Sequence, residues 1–492
     1  MNRLHGLFGI LISGFALLGC GGLSSSPAGE FGATQGGVQD MTFARGLVGR
    51  GTVPPPEAFV VEGMFSEHDL PLSGAPCSTL LCLRSAMGIA PSAAGASHAW
   101  VQVGMSSTID PETFVRPSLA VVATVDVSGS MQWDYDSGNG SSPAAISHAL
   151  LWNVASRLNA NDRFAMVTYG SSVDMALDWT SGDDAAIKGA IAELEEDGST
   201  NMEAGMELAY ELAREAKGTA DEVRIMLFTD AQPNVGATSG SEFEAMVAKG
   251  AEEGIGITVF GLGLGLGADL VNRMSHLRGA NAFSVMKADD VGLFMQDNWP
   301  WLAVPIAHDL KLAVTPSQGL MLDHAYGFPT GEAGAASAAS LDVASVFLSK
   351  RKGALLLELS PESAQQDLAG SSVDMDLSYT DRAGEAVTVS LPASYEGQAL
   401  DERGVYMPQP SVGKTVALAQ LVQAMHDAAE VYGMDHAAAV AILEPALDRF
   451  KADAAVIKDS SIDAEAEFWS KLLDLMKMGA PQGDLYGYSD GF

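Results

Sequence analysis

The sequence predicts an α/β protein. A doubly wound, mostly parallel sheet is inserted in an antiparallel β-sandwich domain, and a helical segment follows. Three patterns predict this. Between residues 118 and 300, short apolar runs alternate with stretches of helical spacing, as in a parallel sheet covered on both faces. From about residue 304 the chain becomes a series of short strands split by turns, the pattern of an antiparallel β domain. From residue 412 to 478 apolar residues return at helical spacing, with Val416, Leu418, Leu421, Val422, Met425 and Ala429 in the first helix.

The α/β part begins at residues 119–125, a Val-rich run suited to a strand buried on both faces. Residues 143–158 carry apolar positions at helical spacing, with Ser142 as N-cap. Residues 163–169 and 173–179 read as a hairpin around Gly170-Ser171-Ser172. Helices are expected at 185–195, 202–217, 242–253, 268–277 and 291–298, and strands at 223–228, 256–260 and 282–285. In the flanking β domain, strands are expected at 308–314, 344–348, 354–359, 373–379 and 386–391. Thr380 to Glu385 makes a hairpin turn, and the Gly/Ala/Ser stretch 330–340 is a loop. Helices are expected at 415–431, 435–450 and 464–478, broken by Gly433 and Ser460-Ser461, with a fraying tail after Pro481. Ahead of the α/β part, residues 58–63 read as a strand, and Trp100 to Met105 alternates as a half-exposed strand should.

The resulting boundaries are 1–19 signal peptide, 20–57 flexible tether, 58–117 first part of the β domain, 118–300 α/β domain, 301–410 second part of the β domain, 411–480 helical segment and 481–492 tail. Residues 21–57 read as a tether because Gly, Ser and Pro are frequent, with Pro54-Pro55-Pro56 near the end. The first residues combine Arg3 with a short apolar core, too short to span a bilayer comfortably, and so read as a signal peptide. With 27 Lys and Arg against 62 Asp and Glu, the net charge is −35. That balance disfavours nucleic acid and anionic lipid surfaces as partners. In an exported, oxidising setting Cys77 and Cys82 are read first as a local disulfide, over a weak metal alternative.

The candidate site follows the first strand. Asp126-Val127-Ser128-Gly129-Ser130 puts a carboxylate and two hydroxyls at alternate positions, where a central strand leaves its sheet. In open α/β sheets ligands bind at that edge. The donors are all oxygen, hard ligands suited to Mg²⁺ or Mn²⁺, with Ca²⁺ as a further option. These residues resemble the Asp-x-Ser-x-Ser signature of the von Willebrand factor type A family. Gly198-Ser199-Thr200-Asn201 resembles that family's threonine loop. Thr229-Asp230, after the strand Arg224-Ile225-Met226-Leu227-Phe228, resembles its second aspartate loop. The resemblance covers residues 116–300 and implies a metal-ion-dependent adhesion site. Ser128, Ser130 and Thr200 would ligate directly, and Asp126 and Asp230 would hold metal-bound waters or ligate. One departure is Ala231, where the family commonly has Gly.

Neutral hydroxyl ligands leave Mg²⁺ under-neutralised, so it seeks an anionic oxygen from outside. The implied partner is therefore a protein presenting an Asp or Glu carboxylate. The alternative is an envelope scaffold or assembly protein whose metal site is regulatory or structural. Leu17-Leu18-Gly19-Cys20 resembles a bacterial lipobox, which implies lipid on Cys20 and attachment to a membrane. Gly21 follows where inner-membrane retention usually has Asp, which implies the outer membrane. Enzymatic readings fit less well. Ser128 is not in a G-x-S-x-G elbow, and no His lies in an H-E-x-x-H arrangement. Gly263, Gly265 and Ala268 fit a loose dinucleotide fingerprint, but no acidic residue ends the following strand. Residues 134–140 fail the EF-hand pattern and read as an acidic loop, where Trp133 and Tyr135 are candidates for partner contact as much as for loop packing. The insertion follows from Trp100 to Met105. That strand needs partners, two strands alone are marginal, and the type A fold tends to bring its ends together. Pairing is therefore expected between residues 95–106 and strands from 304–395.

Overall fold

Two hydrogen-bonded sheets organise the chain in the computed structural model, which describes residues 31–110, 112–133, 141–196, 198–230, 240–263, 277–299, 301–328, 338–363 and 366–483. The first sheet has seven strands in the order β2 (Gly37–Val38), β10 (Ala280–Val285), β9 (Ile255–Leu262), β8 (Glu222–Thr229), β5 (Leu119–Asp126), β6 (Arg163–Tyr169) and β7 (Val173–Ser181). Every pair is parallel except the β6–β7 hairpin at one edge. Strand β5 lies inside the sheet, and its residues alternate between two cores. Leu119, Val121, Ala123 and Val125 pack with α3 (Pro143–Ala155), α4 (Ala185–Ala192) and α7 (Val291–Asn298). Ala120 and Val122 pack with α5 (Met202–Glu215), whose core also includes Phe243 and Val247 of α6 (Gly240–Glu252). A continuous apolar run is thus what a strand between two helical layers requires. Ser142 caps α3, its Oγ accepting from the Ala145 N–H.

The second sheet is antiparallel, with ten strands. Its path is β12 (Leu320–Tyr326), β14 (Gly353–Pro361), β4 (Ser97–Ser107), β1 (Gly32–Gln35), β13 (Ala339–Ser349), β11 (Pro305–Pro316), β15 (Ser371–Asp381) and β16 (Ala386–Ser390). Strand β3 (Leu81–Pro91) adds to β4, and β17 (Ala393–Tyr395) to β15. Val101, Val103, Leu355 and Leu357 from one half share a core with Leu312, Val373 and Leu377 from the other. The halves enclose this core as a sandwich does, but β1 pairs with both β4 and β13 and joins them into one ladder. Strand β4 pairs with β14 from Met105 opposite Gly353 to Ala99 opposite Leu359. A second layer of core lies on the other face of β4 and β14. There Trp100 and Leu356 pack under α1 (Thr42–Gly49), α2 (Val61–Glu67), α8 (Pro410–Tyr432), α9 (His436–Ile457) and α10 (Ser460–Met478).

Four expectations are corrected. Composition predicts a tether over residues 20–57, yet β1, β2 and α1 occupy much of 31–57, and Met41, Ala44, Leu47, Val48 and Val53 are buried. Residues 20–30 lie outside the described residues, as do Cys20 and the signal segment. Residues 58–63 are not a strand. A 3-10 turn at Pro56–Ala58 leads into α2, which places Met64 and Phe65 in the core beneath the C-terminal helices. Strand β4 is buried on both faces, not half-exposed. Gln102, its polar alternate, lies under α8 and donates to the Leu70 carbonyl and the Ser411 hydroxyl. After Pro481 the chain does not fray at once, since Gln482 bridges Val53; residues 484–492 lie outside the described residues. Cys77 and Cys82 are joined by a disulfide, with Cα atoms 5.5 Å apart. The expected helix at 268–277 and the Gly/Ala/Ser loop at 330–340 fall mostly outside the described residues.

The two sheets are tied together closely. Asp40 accepts from the Ser284 N–H of β10 at 2.9 Å. Ser345 of β13 accepts from the Gly279 N–H at 2.8 Å. The chain leaves the antiparallel layer and returns to it at neighbouring points. The rings of Phe114 and Trp301 are 6.4 Å apart, and both contact Phe31.

Candidate metal centre

Strand β5 delivers Asp126 to the carboxyl edge of the parallel sheet, between the ends of β6 and β8. Asp126 is 1% exposed and spent on local order. Its Oδ1 accepts from the Ser128 N–H at 2.9 Å, and its Oδ2 accepts from the Thr229 hydroxyl at 2.8 Å. The first bond is an Asx turn that swings the chain out of the strand. A 3-10 turn at Gly129–Gln132 follows at once. This brings Ser128 Oγ and Ser130 Oγ to 3.1 Å from each other. Ser130 in turn donates to Oδ1 of Asp230 at 3.1 Å. Asp230 is fully buried at the end of β8. Four of the five candidate residues therefore form one hydrogen-bonded run: Asp126, Ser128, Ser130, Asp230.

Thr200 arrives on a third loop, and it too is buried. That loop is fixed from both sides. The Gly198 carbonyl accepts from the Gly129 N–H at 3.0 Å, and the Asn201 N–H donates to the Gly170 carbonyl at 3.2 Å. Gly198 has φ +87, and a side chain there would collide with the Ser171 hydroxyl, so this position requires glycine. Asn201 then caps α5, accepting from the Ala204 N–H.

Burial raises the Asp126 carboxyl above its ordinary range, and the bonds from Ser128 and Thr229 oppose that rise. Burial pushes the Tyr169 hydroxyl well above its usual value, and the nearby Asp126 and Asp230 charges add to it. Two buried carboxylates with hydroxyls between them form a hard, all-oxygen donor set, which suits a divalent cation of the Mg²⁺, Mn²⁺ or Ca²⁺ type. Thr229 and Tyr169 were not singled out from sequence. The signal for Thr229 is its place one residue before Asp230, on the strand beside β5. Ala231 and Tyr135 lie outside the described residues, whereas Trp133 is 59% exposed beside the site.

Residues 121–232 match the family model of the von Willebrand factor type A domain. The matched stretch runs from β5 to the end of β8, the centre of the parallel layer, which has the von Willebrand factor type A fold. Over 225 residues the chain is 30% identical to the uncharacterized protein YfbK of Escherichia coli strain K12, a stretch that covers 44% of this chain. The chain spans 38% of the length of that relative. Among solved structures, it is similar to a von Willebrand factor type A protein from Catenulispora acidiphila, at 12% identity and TM-score 0.49, covering 79% of this chain and 89% of that one. It is also similar to the ArnB paralog VWA2 from Sulfolobus acidocaldarius, at 13% identity and TM-score 0.41, covering 81% of this chain and 97% of that one. No described helix outside the type A domain, or within it, is long and apolar enough to cross a membrane.

Proposed function

We propose that the type A domain captures a carboxylate of a protein partner through a divalent cation, Mg²⁺ first, and that the chain is a binding protein and not an enzyme. The run from Asp126 through Ser128 and Ser130 to Asp230 carries this reading. Ser128, Ser130 and Thr200 would hold the ion, with Asp126 and Asp230 ligating or orienting its waters. The ion would supply a Lewis-acidic position for an anionic oxygen from outside. The rest of the chain does the positioning. Thr229 fixes the Asp126 carboxylate, and Gly198 lets the threonine loop approach Gly129. The same reading places the chain in a bacterial cell envelope, anchored through lipid on Cys20, most simply at the outer membrane. It takes the type A domain as inserted in the antiparallel unit, with the C-terminal helices as that unit's cover.

The test is calorimetric titration of the purified chain with Mg²⁺ and Mn²⁺, followed by crosslinking capture from the native envelope. Wild-type protein is expected to bind one ion. Ser130→Ala and Asp126→Ala are expected to weaken binding by about tenfold or more, ~1.4 kcal/mol, and to lose the captured protein. Ion binding with capture unchanged in both variants would favour the scaffold reading. Absence of ion binding by a folded wild-type chain would defeat both.

A further inference from the structure

A cavity outside the type A domain lies between the antiparallel sheet and the C-terminal helices. Its volume is about 520 Å³, within the range of small-molecule sites. Small residues on the helices leave the space, among them Ala424 of α8 and Ala441 of α9. Trp100 and Tyr326 form an aromatic wall, their rings stacked at 6.2 Å. Four carboxylates line the same space; Asp453 is paired with Arg403 at 2.6 Å, which leaves Asp323, Glu358 and Asp427.

These carboxylates are only partly satisfied. Glu358 is 5% exposed and accepts from the Tyr326 hydroxyl at 2.9 Å, with His98 Nδ1 at 2.8 Å from its other oxygen. Asp323 accepts from Ser360 through Oδ1, while its Oδ2 stands 3.8 Å from His98 Nδ1, beyond hydrogen-bond range. Asp427 accepts from Gln423 through Oδ1, with His426 Nδ1 3.4 Å from the same oxygen, and its Oδ2 has no hydrogen bond among the described residues. The charges of all three bear on the Tyr326 hydroxyl and raise its pKa, after burial itself. One arginine, Arg449, is in the lining, where it donates to the Ser92 carbonyl at 2.9 Å on the side of Asp453. Ser92 also lines the cavity. It is 5% exposed, and its hydroxyl has no hydrogen-bond partner. A buried hydroxyl without a partner is costly, and a donor in the cavity would satisfy it.

We propose that this cavity binds a small organic cation of the alkylammonium class, its charged end between Asp323, Glu358 and Asp427 and its methylenes against Trp100 and Tyr326. Carboxylates supply charge-assisted hydrogen bonds to an ammonium, and aromatic faces attract both its charge and its hydrocarbon. A bare metal ion fits these three carboxylates less well. Among the described residues, the one group of three ligands with donor atoms within 4.8 Å of one another is His426, Asp427 and Glu430, all on α8. Asp323 and Glu358 are not part of it. An extended cation with several N–H donors spans what a single ion does not.

The probe is 1,5-diaminopentane, titrated calorimetrically into the full chain at physiological ionic strength. The matched diol, 1,5-pentanediol, and Zn²⁺ alone are run separately. The diamine is expected to bind saturably at one site, and the diol to give no signal. Asp427→Asn and Asp323→Asn, both at partly exposed positions, are expected to weaken the diamine by about tenfold each. Ser130→Ala is expected to leave it unchanged, which separates this site from the type A metal centre. Equal binding of the diol, absence of diamine binding by folded wild-type chain, or diamine binding indifferent to both carboxylate variants would overturn the proposal. So would Zn²⁺ binding that His426→Ala abolishes, in a chain that takes no amine.

Discussion

Arg224 shows how a single residue can tie two layers together. It sits in the middle of β8, 1% exposed, and donates to the Ile257 and Gly279 carbonyls and the Thr258 hydroxyl. Its guanidinium also lies over the Phe347 ring of the antiparallel sheet at 5.4 Å. Burial pulls its pKa down to about 10, so it remains charged at neutral pH. Gly256 makes room for it, since a Cβ there would stand 2.7 Å from the guanidinium. Glu62 is the acidic counterpart, and it has no ion pair among the described residues. Burial raises its carboxyl to about 7. A carboxyl whose folded pKa exceeds its unfolded value near 4.5 favours the folded state most below that lower value. The benefit is lost as pH rises from about 4.5 to about 7, and above that a constant penalty remains. Glu62→Gln is therefore expected to stabilise the protein at pH 8 by about 2–3 kcal/mol more than at pH 4. Urea midpoints at the two pH values measure this; the same increment at both would show that Glu62 ionisation is not the cause. The candidate site was legible because its residues sit in contiguous motifs, Asp126 to Ser130 above all. Arg224 and Glu62 were not, because what they do depends on partners that are absent from their own segments. A charged residue inside a parallel strand was nevertheless a visible flag.

At the level of elements, regular patterns were read well and short ones were missed. The α3 helix and the β6–β7 hairpin follow their sequence signals closely. Strands β1 and β2 are too short to carry a period, and glycines at 32, 36 and 37 made the segment look like linker. Those glycines serve close approach. A side chain at Gly32 would collide with the Arg351 carbonyl, and one at Gly36 would stand 2.8 Å from the Ala280 carbonyl. The helix α1 had a readable signal in Phe43, Leu47 and Val48, which was outweighed by composition. Strand β4 misleads in another way. Alternation implied one wet face, but Gln102 points into a polar pocket under α8. These positions yield a direct test. A chain lacking residues 31–57 loses β1, the strand that joins both halves of the antiparallel ladder, and the buried side chains of Met41, Leu47, Val48 and Val53. Full burial of each such side chain contributes about 1.5–3 kcal/mol, so the four together are comparable to the whole stability of an ordinary domain, about 5–15 kcal/mol, before the loss of β1 is counted. It is expected to give a chain cleaved rapidly by limited proteolysis, with no cooperative urea transition. A native-like midpoint would show that 31–57 is a tether after all.

Seen as a whole, the molecule is a parallel sheet whose two chain crossings meet at one place on an antiparallel one. Phe114 on the way out and Trp301 on the way back pack around Phe31, and Arg116 lies over the Trp299 ring at 5.6 Å. Between those points the antiparallel sheet has no need of the type A domain for its own ladder, since β4 pairs with β14, β3 and β1. Its two cores are also its own: one between the sheet halves, the other beneath the five helices. The contacts that would be lost include Asp40 with Ser284, Ser345 with Gly279, Phe347 with Arg224, the ion pairs of Glu222 with Arg382, Asp297 with Lys350 and Arg278 with Asp309, and the two residues of β2 that extend the parallel sheet. If the type A domain is an insertion, replacing residues 116–299 with a short Gly/Ser linker is expected to leave a chain that unfolds in one cooperative transition and keeps the Cys77–Cys82 disulfide. Amide exchange is expected to quicken at Gly37 and Val38, which have lost β10, while β4 stays protected. It is also expected to retain the amine cavity, whose walls come entirely from β4, β12, β14, the turn after β3, and the C-terminal helices. A dye-binding, non-cooperative product would instead mean that the parallel layer is needed to hold the antiparallel one, and that the two sheets fold as a single unit.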